Sequence, residues 1–259
     1  MSAASHPPRR TRAPEPFGAV PLDGSPAPLT ARDTRRLLGA LVLVDVVLLG
    51  FYLLDWATDG RFWTVHTLFD LDGEGNVPAW WASAKLLGVG AALLYAGASA
   101  RARRSPLALA LTLAGAGFVF LSMDEAAWVH EKITTVLEGR GGFAFSGGHG
   151  RWIPVYAVLG LGLLVAFRRA LVSLWREHRR ETAVMAAGMF VLVLGGVGVE
   201  VLGYELVGDD GPLSLRRPQV AAEEFLELVG VSVVLYGAVL FALRFRGRPA
   251  ADRSSIAGS

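Results

Sequence analysis

Cysteine is absent from the chain, which removes disulfides, thiolate metal ligands and a cysteine nucleophile from consideration. Net charge is nearly absent too: 25 Lys and Arg against 23 Asp and Glu leave +2 at pH 7, which excludes nucleic acid as a partner on bulk charge. Residues 1–30, rich in Pro, Ala and Arg, lack the apolar core of a signal peptide. The first apolar span is therefore expected to act as an uncleaved anchor, with 1–30 a disordered segment before it and 247–259 a disordered tail after the last span.

Apolar residues are abundant instead. Hydrophobic residues make up 53% of the chain, and the mean hydropathy is +0.43. They are gathered into blocks, which places the chain in the membrane class. A hydrocarbon core of about 30 Å needs roughly 20 apolar residues per helical span. Six stretches come near that length: Leu37–Leu54, Trp80–Ala98, Leu107 to about His130, Trp152–Phe167, Ala183–Tyr204 and Val220–Leu243. The fourth is short enough to lie partly in the interface. The expected fold is an all-α polytopic bundle, residues 31–246, in the cell membrane with the lipid bilayer as its first partner.

The basic residues are placed, not piled up. Arg32, Arg35 and Arg36 precede the first span, Arg101, Arg103 and Arg104 follow the second, Arg168, Arg169, Arg176, Arg179 and Arg180 separate the fourth from the fifth, and Arg244, Arg246 and Arg248 follow the sixth. With six spans all of these fall on one side, so the positive-inside rule predicts both termini in the cytoplasm.

The acids go to the other end. Asp124 lies about 26 Å along a helix begun at Leu107, in the stretch "FLSMDEAAWVHEK" that also holds Glu125, His130 and Glu131. Glu200 sits at the matching end of the fifth span, Glu223, Glu224 and Glu227 open the sixth, and Lys85 lies about a turn into the second. Ionisable groups at membrane depth are costly and usually face the bundle interior, so the convergence defines a candidate site. At 100° per residue an unbroken third helix puts Asp124, Trp128 and Glu131 on one face with His130 to the side. Acids in the first turn complement the helix dipole, which accounts for Glu223 and Glu224 but not for Glu227 or Glu200. Two like charges four apart repel, so Glu223 and Glu227 call for Lys85, a shared proton or a bound cation. The metal-site candidates are Asp124, His130, Glu131, Glu223 and Glu227, a set suited to Mg, Mn or Ca, or to Zn with the histidine.

Three further features are separate. Asp45, mid-span in "LVLVDVVLLG", is expected either to relay a proton or cation or to sit protonated and hydrogen-bonded to a neighbouring helix. "FDLDGEGNVPAWWAS" imitates the first half of a calcium loop with Asp70, Asp72 and Glu74, but the twelfth position falls on Trp81. There Asn76 suits a helix cap, Pro78 a first turn, and Trp80 with Trp81 an interfacial belt. The glycines of "GVGAALLYAG", "AGAG" and "GGVGVE" read as close helix packing, and the loop 139–150 would bring His149 over the cluster.

The elements "EGNVPAWWAS", "FLSMDEAAWVHEK" and "EEFLELVGVSVVLYG" resemble those of a family of uncharacterised bacterial multi-pass membrane proteins. That resemblance implies a shared fold and a recurrent constellation of Glu74, Asn76, Asp124, Glu125, His130, Glu131, Glu223 and Glu227, and no activity. A looser likeness, through Ser122, Asp124 and His130, is to alkaline ceramidase-type membrane hydrolases. Three functions stay open: a cation- or proton-coupled transporter, a metal-dependent hydrolase acting on a lipid-type substrate, and a binding or accessory protein with a lipid or ion ligand.

Overall fold

The computed structural model of the protein describes residues 31–73, 75–138, 150–208 and 211–246. The expected disordered ends, Glu74 and the loop with His149 lie outside the described residues. Every regular element among the described residues is helical: α1 (Ala31–Ala57), α2 (Trp63–Leu68), α3 (Val77–Ala102), α4 (Ala108–Ala127), α5 (Val129–Leu137), α6 (Trp152–Ala166), α7 (Arg168–Glu177), α8 (Arg179–Val193), α9 (Glu200–Leu206) and α10 (Leu213–Arg246). A π-helical stretch, Leu194–Val199, joins α8 to α9, so that Arg179–Leu206 runs as one span.

Five helices are long and apolar enough to cross a membrane, and six if the bent pair α6 and α7 counts as one. The fourth span differs from the others: Trp152–Ala166 meets Arg168–Glu177 at an angle of 66°. The cause is legible in the residues. Fifteen apolar residues make only about 22 Å of helix, and the chain then meets Arg168 and Arg169, which leave the apolar path.

Helix α10 forms the centre, packed by α1, α3 and α8. Residues Leu86, Val89 and Leu93 of α3, Leu111 and Phe118 of α4, and Val231, Val234 and Phe241 of α10 make the main apolar core. A second cluster, Leu48, Tyr52, Leu71, Ala82, Val220 and Leu228, fills the space between α1, α3 and α10 nearer the acidic residues. Outward-facing apolar side chains such as Val158 (72% exposed) and Phe190 (68%) suit lipid surroundings.

Small residues set the closest approaches. A Cβ on Gly115 of α4 would lie 2.8 Å from the Leu94 amide nitrogen of α3, and one on Gly230 of α10 would lie 2.5 Å from that of Leu192 in α8. Backbone cannot give way at those points, so the glycines fix the interhelical spacing.

The two ends of the bundle differ in chemistry. At one, Arg103 donates to the Phe245 carbonyl and Arg244 Nε donates to Glu181 Oε1 at 2.9 Å, tying α3, α8 and α10 together. At the other, Asn76 caps α3 as expected. Its Oδ1 accepts from the Ala79 amide at 3.2 Å while its Nδ2 donates to the carbonyls of Asp70 (2.6 Å) and Gly73 (2.5 Å), closing the preceding loop. Pro78 occupies the first turn, where a missing N–H is harmless.

Candidate functional site

Asp45 is neither lone nor exposed. It and Ser232 are 0% exposed and Lys85 is 2%. Lys85 Nζ donates to Asp45 Oδ1 at 2.7 Å, to the Leu228 carbonyl at 2.6 Å and to Ser232 Oγ at 3.1 Å, which uses all three ammonium protons. Ser232 Oγ donates in turn to Asp45 Oδ2 at 2.6 Å, and Trp81 Nε1 donates to Oδ1 at 2.8 Å. Helices α1, α3 and α10 are thus cross-linked by one fully satisfied charged network. This geometry corrects two expectations. Lys85 does not serve the glutamates of α10, because its donors are spent on Asp45, Leu228 and Ser232. Trp81 does not belong to an interfacial belt, because its indole turns inward to Asp45, while Trp80 is 66% exposed.

The third helix is broken where an unbroken one was expected. Trp128 takes a left-handed conformation (φ 57°, ψ 44°), ends α4 and starts α5. That turn overturns the shared face of Asp124, Trp128 and Glu131 and brings His130 back to Asp124. Asp124 Oδ1 accepts from the His130 amide at 2.8 Å, satisfying an N–H at the start of α5, and meets His130 Nδ1 at 3.2 Å. Nearby, the buried Tyr156 hydroxyl lies within electrostatic range of Asp124. Ser122 is occupied as well: its Oγ donates to the Ser83 carbonyl at 2.9 Å while Ser83 Oγ donates to the Ser122 carbonyl at 2.8 Å, a reciprocal clasp of α3 and α4.

From His130 a line of rings leads to Glu200. The His130 and Trp152 rings meet edge to face at 5.4 Å, and Trp152 meets Tyr156 the same way at 5.2 Å. Trp152 Nε1 donates to Glu200 Oε1 at 3.4 Å, and Tyr204, one turn on, donates to the same oxygen at 2.6 Å. Glu131 is exposed on α5 and within electrostatic range of Glu200.

Opposite Glu200 stands the acidic stripe of α10. The helix begins at Leu213 and not near Val220, because the chain is already helical through Pro218. Glu223 and Glu224 therefore sit about three turns inside it, and dipole complementation at a helix start does not account for them. Glu223 Oε2 accepts a long bond from Gln219 at 3.4 Å. No hydrogen bond or ion pair among the described residues reaches the carboxylates of Glu224 or Glu227, both partly buried. Glu125, Glu200 and Glu223 all lie within electrostatic range of Glu227.

The π-helical stretch shapes this cluster. A Cβ on Gly196 would lie 2.6 Å from Glu227 Oε1, and one on Gly195 2.8 Å from the Glu223 carbonyl. The "GGVGVE" glycines thus do more than pack helices: they make the bed on which the Glu227 carboxylate rests, in a widened turn of a kind frequent at functional sites. Among the described residues no three His, Asp or Glu side chains are arranged to hold a metal ion. The five metal-site candidates divide accordingly, with Asp124 and His130 bonded to each other, Glu131 exposed, and Glu223 and Glu227 on the far side near Glu200.

Outside the spans, His66 Nδ1 lies 3.0 Å from Asp55 Oδ2. That bond and the Asp55 charge raise the imidazole above its ordinary value. The proton is bound more tightly in the folded protein, so the contribution to stability is complete below about pH 6.5 and fades as pH climbs through the raised folded value. An NMR titration of His66 in wild type and Asp55→Asn should show the variant returning toward the ordinary value; identical midpoints would show that Asp55 does not hold the imidazole proton. Asp70, close by, is raised by burial.

Five to six apolar spans, with α10 at the centre and charged groups enclosed among them, define a polytopic helical membrane protein. The chain belongs to the family described as Domain of unknown function (DUF8692), whose model matches residues 36–243. No curated protein and no solved structure matches the chain.

Proposed function

We propose that this is an integral protein of the cell membrane that takes up a cation between Glu224 and Glu227, on the side away from the cytoplasm. Glu125, Glu200 and Glu223 add negative charge around it, without a preformed three-ligand metal cage among the described residues. The observation that carries the reading is the pair of carboxylates, Glu224 and Glu227, held within a long apolar helix with no hydrogen bond or ion pair among the described residues. Carboxylates in that setting are costly unless a cation or proton joins them. The arginines support that side. Those of α7, of the start of α8 and of the turn after α3 gather at the opposite end, which supports a cytoplasmic placement of that end and of both termini.

A coupling role is favoured over hydrolysis. Lys85 bonds the carbonyl of Leu228, the residue after Glu227, so the occupancy of Glu227 and the Asp45–Lys85 pair share one stretch of α10. A hydrolase needs a free nucleophile or a ligated water, whereas Ser122, Asp124 and His130 are engaged with backbone and with one another.

The test is thermal unfolding of the protein in lipid nanodiscs against Na, K, Mg and Ca chlorides, with choline chloride as the ionic-strength control. A ligand at 100 times its dissociation constant stabilises by about 2.7 kcal/mol, so at least one cation should raise the melting temperature by several degrees over choline. Equal curves for every salt would contradict the proposal.

A further inference from the structure

A second polar site lies apart from the glutamates, where the end of α1, helix α2 and the start of α10 enclose a cleft of about 290 Å³. Its lining carries both signs of charge: Asp55, Asp70 and Asp72 against Arg216, Arg217 and His66. At the acidic pole Asp55 is only 9% exposed. Its Oδ2 is held by His66, while its Oδ1 is buried with no hydrogen-bond partner among the described residues. A buried carboxylate oxygen without a donor is a standing penalty that an incoming N–H removes.

The basic pole is loosely held. Arg216 reaches Asp72 at 3.5 Å and Arg217 reaches Asp59 at 3.9 Å, and the Asp59 side chain is 96% exposed. Such long surface pairs contribute little and release a guanidinium readily to a better acceptor. Two adjacent guanidinium forks match the oxygens of a phosphate.

Charge of both signs in one cleft disfavours a simple cation and a simple anion alike. We propose that the cleft binds a zwitterion that carries a primary ammonium for Asp55 and a phosphate for Arg216 and Arg217, and that it meets this ligand as the headgroup of an ethanolamine phospholipid. The lipid source follows from position. The cleft opens where the apolar spans α1 and α10 meet their polar ends, and beside it Phe62 and, on α2, Trp63 and Leu68 are exposed, side chains that anchor at a lipid–water interface. Its volume is at the lower limit of roughly 300–1,000 Å³ for small-molecule sites, which admits a headgroup and leaves the acyl chains against the helices.

The experiment counts bound lipids by native mass spectrometry on delipidated full-length protein. The probes are phosphatidylethanolamine, phosphatidylcholine and phosphatidylglycerol, with soluble glycerophosphoethanolamine as competitor. Phosphatidylcholine keeps the phosphate and has no N–H to give Asp55. The expected result is a preference for phosphatidylethanolamine of about tenfold, or some 1.4 kcal/mol, abolished by Asp55→Asn. Where Asp55→Asn fails to fold, Arg216→Gln with Arg217→Gln, at the loosely held basic pole, should weaken all three phospholipids together. Equal affinity for the three lipids, or a preference untouched by these variants, overturns the proposal. Competition by glycerophosphoethanolamine at the affinity of the lipid overturns the lipid source and assigns the cleft to a soluble zwitterion.

Discussion

Lys85→Met is expected to destabilise the protein more than any other single substitution in its polar networks, by about 3–5 kcal/mol. Methionine fills nearly the same volume, so the loss is not one of packing. It arises because Asp45 stays behind, fully buried, with the indole of Trp81 and the hydroxyl of Ser232 as its remaining donors. The carbonyl of Leu228 also loses a partner. Asp45→Leu combined with Lys85→Met should recover most of the loss, since an apolar pair of similar size in such a place is often as stable as the ion pair it replaces. Unfolding in mixed micelles measures both. A single variant no worse than an ordinary core substitution, or a double variant worse than the single, would show that the network is not what holds α1, α3 and α10 together.

The second large effect has the opposite sign. Glu227→Gln should stabilise the protein in the absence of added cation, by roughly 1–2 kcal/mol, because it removes one charge from a group of carboxylates that repel across a partly desolvated space. The shape is kept: glutamine fits the same bed against Gly196, where Glu227 Oε1 lies 2.6 Å from the Cβ position. With the right cation present the order should reverse, since the wild type gains the binding energy and the variant does not. Such a gain of stability at the expense of binding is the usual signature of a functional cluster. Melting curves of both proteins in choline chloride decide the first half. A variant less stable than wild type there would mean that Glu227 makes a structural contact that outweighs the repulsion.

Much of this architecture was legible in the residues. Blocks of apolar sequence located the spans, and the fourth was marked as the odd one by its length alone. Asn76 and Pro78 gave the start of α3 because a cap needs only local backbone. What misled was any step that assumed an unbroken helix. Nothing in "EAAWVHEK" announces that Trp128 turns left-handed, since tryptophan has no preference for that region and only tertiary packing holds it there. The early start of α10 was hidden by Pro218 and by the polar run before it, which read as a loop. Trp81 and Ser232 were invisible as partners of Asp45, because residues 36 and 187 positions away meet it only through the bundle. The one signal within reach was that a mid-span aspartate must find donors on a neighbouring helix; the place of Lys85, about a turn into the second span, sets it at the level of the glutamates and points to them instead.

Cation binding by the α10 glutamates is tested most directly by isothermal titration on nanodisc-embedded protein, wild type beside the double variant Glu224→Gln, Glu227→Gln. Whichever of Na, K, Mg or Ca raised the melting temperature is the titrant. The predicted result is saturable, near-stoichiometric binding to the wild type and loss of that binding in the double variant, with the helical content of both unchanged by circular dichroism. Binding of equal strength in both proteins, or none in either, would contradict it.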